Sequence, residues 1–174
     1  MILAEDEASL YLQATLMRVW ALKGQTPVIW SDPGREKVCF YGTLNLLTGK
    51  VIVTRTEIMN SDATAQHLQA VLAAYPQDPL LLLWDRAKWH GGEAVRQVLA
   101  QNPRLEVMKL PVAAPDLNPQ EHVWKASRRA VSHNHQVVKL PTLADDFEAH
   151  LTENTFPTST LEFHGYYTLR PMFE

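Results

Sequence analysis

The 174-residue chain has almost no cysteine and no long apolar run, and both shortages restrict what it can be. Its single cysteine, Cys39, excludes an internal disulfide and fits the reducing conditions of the cytoplasm. The longest apolar run, at residues 79–84, is far too short to cross a bilayer. Acidic residues stand near the N-terminus, where a signal peptide carries lysine and arginine. We therefore expect one cytoplasmic globular domain with no membrane partner.

Acidic residues are missing from one segment in particular. The net charge of −3 argues against a surface devoted entirely to nucleic acid. Between residues 122 and 139, however, there is no aspartate or glutamate, whereas Lys125, Arg128 and Arg129 all lie there. Two interpretations are open: an ordinary solvated helix face, or a basic surface that follows a phosphate backbone.

The pattern of apolar residues predicts an α/β domain. Strands are expected at 2–8, in a hairpin at 37–56, and at 79–85 and 104–110. Helices are expected from Ser61 or Asp62, at 91–101, at 119–132 and from Thr142. Asp145 stands three residues after Thr142, which is the spacing of a capping box. A meander followed by β-α-β units gives a mixed five-stranded sheet with helices on its faces. Ligands of such sheets bind at the carboxyl ends of the strands.

Two aspartates are placed for chemistry at that edge. Asp85 ends a strand that reads as buried, so its carboxylate should emerge at the carboxyl edge of the sheet. Asp6 shares a face of the first strand with apolar neighbours, whereas Glu5 and Glu7 point to the opposite face. Each also has an ordinary explanation, since Asp85 can cap the next turn and Asp6 can face water on an edge strand.

The third carboxylate, Glu121, follows an unusually stiff loop. In the stretch "AAPDLNPQEHVW", prolines restrict the backbone on both sides of residues 116–118. Asn118 can cap the following helix, with Pro119 in its first turn, and capping alone would explain Glu121. Capping does not explain the rigidity of the loop, which favours a fixed position for the carboxylate.

Grouped carboxylates repel one another unless a cation lies between them. Mg²⁺ prefers oxygen ligands, and two such ions support in-line displacement at phosphodiesters. The three carboxylates, with the basic segment beginning after Glu121, therefore favour metal-dependent chemistry on a nucleic-acid backbone.

Four stretches, "AEDEASLYL", "YGTLNLLTG", "LLLLWDRAKWHGG" and "LPVAAPDLNPQEHVWK", resemble the catalytic domain of insertion-sequence transposases of the mariner superfamily. The resemblance covers about residues 3 to 150 and implies a DDE-type endonuclease with an RNase H-like fold. It implies that Asp6, Asp85 and Glu121 are the catalytic metal ligands, with 35 residues between the last two. Two Mg²⁺ ions, with Mn²⁺ as a substitute, would support hydrolysis at transposon ends and transfer of the 3′-hydroxyl to target DNA.

The same resemblance implies supporting roles and partners. Asp116 would belong to the positioning loop, Asn118 and His90 would support the site, and Lys125, Arg128 and Arg129 would contact DNA. His90 could equally cap the next helix, and Trp124 is expected to pack behind Glu121. We expect a homodimer that associates with the nucleoid when it is on DNA.

Two departures from the family pattern bear on function. Arg86 stands where an asparagine usually follows the second aspartate. The chain also starts almost at the first catalytic strand, so helix-turn-helix modules for end recognition are expected from a separately encoded subunit. We predict a catalytic domain over residues 1–156 and a tail over 157–174. The alternatives are a non-catalytic fragment that binds DNA or dimerises as a regulator, and a nuclease that cuts RNA–DNA hybrids.

Overall fold

A five-stranded sheet forms the centre of the molecule. The computed structural model describes residues 1–30, 33–112, 114–163 and 166–169. Its strands are β1 (Ile2–Tyr11), β2 (Lys37–Asn45), β3 (Val51–Thr56), β4 (Leu80–Trp84) and β5 (Leu105–Lys109). They lie in the order β3-β2-β1-β4-β5, with β1 antiparallel to β2 and parallel to β4. The predicted mixed sheet and its strand positions are confirmed.

The helices cover both faces of this sheet. They are α1 (Ser61–Ala74), α2 (Glu93–Gln101), α3 (Gln120–Ser127), α4 (Leu140–Glu153), α5 (Thr160–Phe163) and α6 (Tyr166–Leu169). A π-helical turn, Arg128–Ser132, extends α3 to the predicted end of that helix. Among the described residues, no helix is both long enough and apolar enough to cross a membrane.

Two predicted helix starts are wrong in detail. The side chain of Asn60, rather than that of Ser61 or Asp62, caps α1 by accepting a hydrogen bond from the Ala63 amide at 2.8 Å. Helix α4 begins at Leu140, so Thr142 lies inside its first turn and no capping box forms there. The Asp145 carboxylate instead pairs with Arg55 on β3, at 2.6 Å.

Each face of the sheet buries its own hydrophobic cluster. The cluster on one face joins β1 and β2 to α3 and α4 and includes Trp124 and Phe147. The cluster on the other face joins β4 to α1 and α2 and includes Leu82 and Trp84. Consecutive residues of β1 therefore contact different clusters: Ala4 lies in the cluster that contains Trp124, and Leu3 lies in the cluster that contains Trp84.

The sequence pattern does not predict the secondary structure of two regions. One is the segment between β1 and β2, and the other is the C-terminal region. In the first, the Asn134 side chain holds Met17 by two hydrogen bonds of 2.9 Å, to its amide and its carbonyl. In the second, Leu161 is buried in the cluster that contains Trp124. The predicted tail, residues 157–174, lies partly outside the described residues, at 164–165 and 170–174.

Candidate active site

Three carboxylates that are distant in sequence line one cavity. Asp6 comes from the middle of β1, Asp85 follows the last residue of the adjacent parallel strand β4, and Glu121 lies in the first turn of α3. The cavity has a volume of about 280 Å³ and lies at the carboxyl edge of β4 and β5, where Leu110 and Pro111 complete its wall. The structure thus brings together the three residues that the sequence singled out.

Asp6 is partly buried within β1. Burial, together with the nearby charges of Glu121 and Glu7, raises the pKa of its carboxyl to about 7. The indole of Trp124 opposes this shift, because its N–H donates to Asp6 Oδ2 at 3.0 Å. Burial is therefore the main cause of a pKa near neutrality at Asp6, and the neighbouring carboxylates add to it.

Asp85 occupies the end of its strand as predicted. Its side chain is half exposed, and its Oδ1 accepts a hydrogen bond of 2.7 Å from the Ala87 amide. The predicted turn-capping contact is therefore present, while the carboxylate also lines the cavity. Arg86, which replaces the usual asparagine, donates from Nε to the Leu110 carbonyl at 3.1 Å and so links the ends of β4 and β5.

Glu121 is held by the loop before it rather than by a capping box. Asn118 is buried, and its Nδ2 donates to the Glu5 carbonyl of β1 at 2.9 Å. Its Oδ1 accepts a hydrogen bond of 3.1 Å from the amide of Gln120, the first residue of α3. Its own main-chain amide donates to the Pro115 carbonyl at 2.9 Å. That amide is the donor that a capping-box Glu121 would need, so the capping explanation fails and the carboxylate faces the cavity.

A glycine allows α3 to approach the sheet beside Asp6. Gly42 of β2 is the register partner of Asp6. A methyl group at this position would lie 2.4 Å from Gln120 Nε2 and 2.6 Å from the Trp124 ring. The absence of a side chain at residue 42 therefore lets Trp124 reach Asp6. The sequence predicted Trp124 as core packing, which is confirmed, but gave no signal for its hydrogen bond.

The opposite face of β1 carries two further carboxylates that the sequence analysis did not assign to a site. Glu5 and Glu7 point away from Asp6, as the period of two predicted, and both contact His90. His90 also reaches Asp85, with Nδ1 3.2 Å from Oδ1. Burial raises the pKa of Glu5 well above its ordinary value, and the charges of Glu7, Asp6 and Asp85 add to the shift.

The predicted DNA-contacting cations extend away from the cavity. Lys125 and Arg128 follow Glu121 at i+4 and i+7, and therefore share its side of the helix. Lys125 and Arg129 are exposed, whereas Arg128 is partly buried and donates to the Ser9 carbonyl at 3.4 Å. Within the described parts of the chain, none of the three forms an ion pair with an acid. Their charge is free to meet an anionic ligand.

The sequence is similar to one family of DNA-processing enzymes and to a protein of an insertion element. Residues 2–144 match the family model described as DDE superfamily endonuclease. The insertion element IS630 uncharacterized 39 kDa protein of Shigella sonnei is 28% identical over 133 residues, which cover 76% of this chain. That match spans only 39% of the relative's own length.

Solved structures show the same fold at low sequence identity. The Mos1 transposase paired-end complex with left transposon end aligns with a TM-score of 0.70 at 17% identity, covering 97% of this chain and 52% of that one. The catalytic domain of Mos1 mariner transposase aligns with a TM-score of 0.62 at 16% identity, covering 98% and 77% of the two chains. The predicted RNase H-like fold is confirmed.

Proposed function

This chain belongs to the DDE superfamily endonuclease family, and on that premise we propose that it is the catalytic domain of a transposase of the insertion-sequence and mariner type. Its reaction would be hydrolysis of phosphodiesters at transposon ends, followed by transfer of the freed 3′-hydroxyl to target DNA. The observation that carries the proposal is the convergence of Asp6, Asp85 and Glu121 on one cavity.

We propose that these three carboxylates hold two Mg²⁺ ions, with Mn²⁺ as a substitute. The donor set fits, because it consists of oxygens. A cation would also compensate the burial and the neighbouring carboxylate charges that raise the pKa of Asp6. Solved structures of the Mos1 transposase include a paired-end complex with Mn and one with Mg. When bound, the ions would neutralise charge on the phosphate and activate the attacking oxygen.

The surrounding residues would hold the carboxylates in place. Trp124 fixes one oxygen of Asp6, and Asn118 ties the loop before Glu121 to β1. His90 lies behind Asp85. Because each of these partners is buried, the carboxylates are oriented before substrate arrives, which lowers the cost of reorganisation during the reaction.

We propose that Lys125, Arg128 and Arg129 bind the DNA backbone beside the cavity. They follow Glu121 along the same helix, so a strand whose scissile phosphate enters the cavity would run past them. Cations that are not paired with acids are available to replace the counterions of the phosphates.

Partners and location extend the proposal further. We propose that the chain forms a homodimer. Trp20 and Trp30, in the connection between β1 and β2, are almost fully exposed. Exposed apolar surface of this kind is typical of a protein–protein contact. The chain spans about two fifths of the length of the IS630 relative, so end recognition would come from sequence outside these residues or from a separate helix-turn-helix subunit. The cytoplasm would be its location, and residues 1–156 would form the catalytic unit.

Calorimetric titration with Mg²⁺ and Mn²⁺ tests the proposal, in the presence and absence of a nicked DNA duplex. Wild type should take up metal, and Asp85→Asn should lose uptake and DNA cleavage together. Asp146→Asn is the matched control, because it makes the same substitution at an exposed carboxylate of α4 that does not line the cavity. Equal metal uptake by wild type and Asp85→Asn would refute the assignment and would leave a non-catalytic DNA-binding fragment as the better description.

A further inference from the structure

A second group of ligating side chains lies on the face of β1 opposite Asp6. Glu5, Glu7 and His90 each offer one ligand atom, and these atoms lie within 4.8 Å of one another. All three side chains are buried, with exposed fractions of 0%, 4% and 3%. The cluster is therefore separate from the cavity that holds Asp6 and Glu121, although His90 contacts Asp85 as well.

Among the described residues, no hydrogen bond compensates the burial of the Glu5 carboxylate. Within the described residues, neither of its carboxylate oxygens has a hydrogen-bond partner, and both are inaccessible to solvent. Its Oε2 instead faces His90 Nε2 at 3.5 Å. A buried carboxylate without hydrogen bonds is costly unless a cation or a proton compensates it.

The hydrogen bonding of His90 determines which nitrogen is available to a cation. Nδ1 is hydrogen-bonded to the main-chain carbonyl of Asp85 at 3.4 Å, and a carbonyl can only accept. In this structure Nε2 is hydrogen-bonded to Glu7 Oε1 at 3.0 Å. A bound cation would replace that hydrogen bond, because a neutral ring with its proton on Nδ1 offers the lone pair of Nε2 as a ligand. Histidine ligands of metal ions are held in this way, with the other ring nitrogen donating to a carbonyl or a carboxylate.

The distances fit a shared ion. His90 Nε2 is 3.0 Å from Glu7 Oε1 and 3.5 Å from Glu5 Oε2. Two atoms that bind one ion at about 2.1 Å lie about 3.0 Å apart at a right angle and about 3.4 Å apart at the tetrahedral angle. A divalent cation would also balance the two carboxylate charges in full.

We propose that Glu5, Glu7 and His90 form a second metal site, which takes a divalent transition-metal cation such as Zn²⁺ or Mn²⁺. The imidazole ligand distinguishes it from the all-oxygen set of the cavity and disfavours Mg²⁺. The Trp84 ring stacks on His90 with centroids 4.2 Å apart, and the Trp89 indole N–H donates to Glu7 Oε1. A bound ion would fix the His90 ring against Asp85.

Calorimetric titration with Zn²⁺, in saturating Mg²⁺ that occupies the cavity, tests this site. Wild type should bind one Zn²⁺ per chain, and Glu5→Gln should weaken that binding by about tenfold or more. Glu106→Gln, which makes the same substitution at an exposed position of β5, should bind as wild type does. Zn²⁺ should also raise the melting temperature of wild type and of Glu106→Gln, but not that of Glu5→Gln.

The two metal proposals fail in different ways. Asp6→Asn should keep its Zn²⁺ binding, so loss of Mg²⁺-dependent cleavage in that variant concerns the cavity alone. If wild type takes up no Zn²⁺, the second site does not exist and a proton on Glu5 compensates its burial. Greater stability of Glu5→Gln in the absence of metal, combined with unchanged Zn²⁺ affinity, would equally overturn the proposal.

Discussion

The indole N–H of Trp124 donates to Oδ2 of Asp6 across 3.0 Å, joining the helix that carries Glu121 to the central strand of the sheet. The bond is made beside Gly42, where the lack of a side chain leaves room for the ring. One contact thus orients a carboxylate and fixes the distance between two elements that supply different parts of the site.

Replacing Trp124 with phenylalanine should weaken both metal binding and the fold. The substitution removes the hydrogen bond to Asp6 but leaves an aromatic ring against Phe147. We expect the free energy of unfolding to fall by about 1–2 kcal/mol and Mg²⁺ affinity to fall by about tenfold. Denaturant unfolding and calorimetry measure the two effects. Phe147→Leu should lower stability alone, and an equal loss of affinity in that variant would contradict the role of the indole.

An alanine at position 42 should displace α3. Its methyl group would lie within 3 Å of Gln120 and Trp124, a clash that costs about 1–3 kcal/mol of stability. Gly91→Ala is the control, because nothing lies within 4 Å of a methyl group there, and its effect should stay within about 0.5 kcal/mol. Chemical denaturation compares the two. Similar losses of stability in the two variants would show that the close packing of α3 against Gly42 does not contribute to stability.

Stability should fall in acid through His67. Burial lowers the pKa of its imidazole to about 3, while Thr43 and Thr54 hydrogen-bond its two ring nitrogens. Because the folded pKa lies below the unfolded value of 6.5, the unfolded chain binds more protons between pH 6.5 and 3. The contribution is present above pH 6.5 and is lost as pH falls, by about 3 kcal/mol at pH 4.

The comparison for this effect is His67→Gln, which has no titrating ring. Its unfolding free energy should depend less steeply on pH than that of wild type between pH 6.5 and 4, whatever its absolute stability at neutral pH. Parallel curves for the two proteins, measured by urea denaturation, would show that His67 takes up its proton without unfolding the chain.

Lys125→Gln should weaken DNA binding in a salt-dependent way. If Lys125 contacts one phosphate, the slope of log affinity against log salt concentration should fall by about 1. Lys50→Gln is the control, because Lys50 lies in the turn between β2 and β3 and contacts the Asn154 carbonyl. Fluorescence anisotropy with a duplex gives both slopes. An unchanged slope in Lys125→Gln would place the DNA elsewhere.

The sequence predicted those features that depend on periodicity and on chain order. Alternation along β1 placed Asp6 on one face and its two glutamate neighbours on the other, and the apolar run before Asp85 predicted a buried parallel strand. Features that depend on side-chain geometry across the fold were not predictable in this way. Nothing local indicates that Trp124 reaches Asp6, or that Asn60 caps α1 in place of the equally suitable Ser61. The pairing of Asp145 with Arg55, 90 positions away, likewise requires the folded arrangement.

The carboxylates of the cavity are anchored with unequal strength. Asp6 lies within the central strand, so its position is lost only when the hydrogen-bond ladder between β1 and β2 is broken. Glu121 follows a loop that Asn118 ties to the Glu5 carbonyl by a single side-chain bond. Opening at that loop costs far less than global unfolding. Loss of the Asn118 contact would therefore loosen the loop before Glu121, whereas Asp6 would keep its position for as long as the sheet holds.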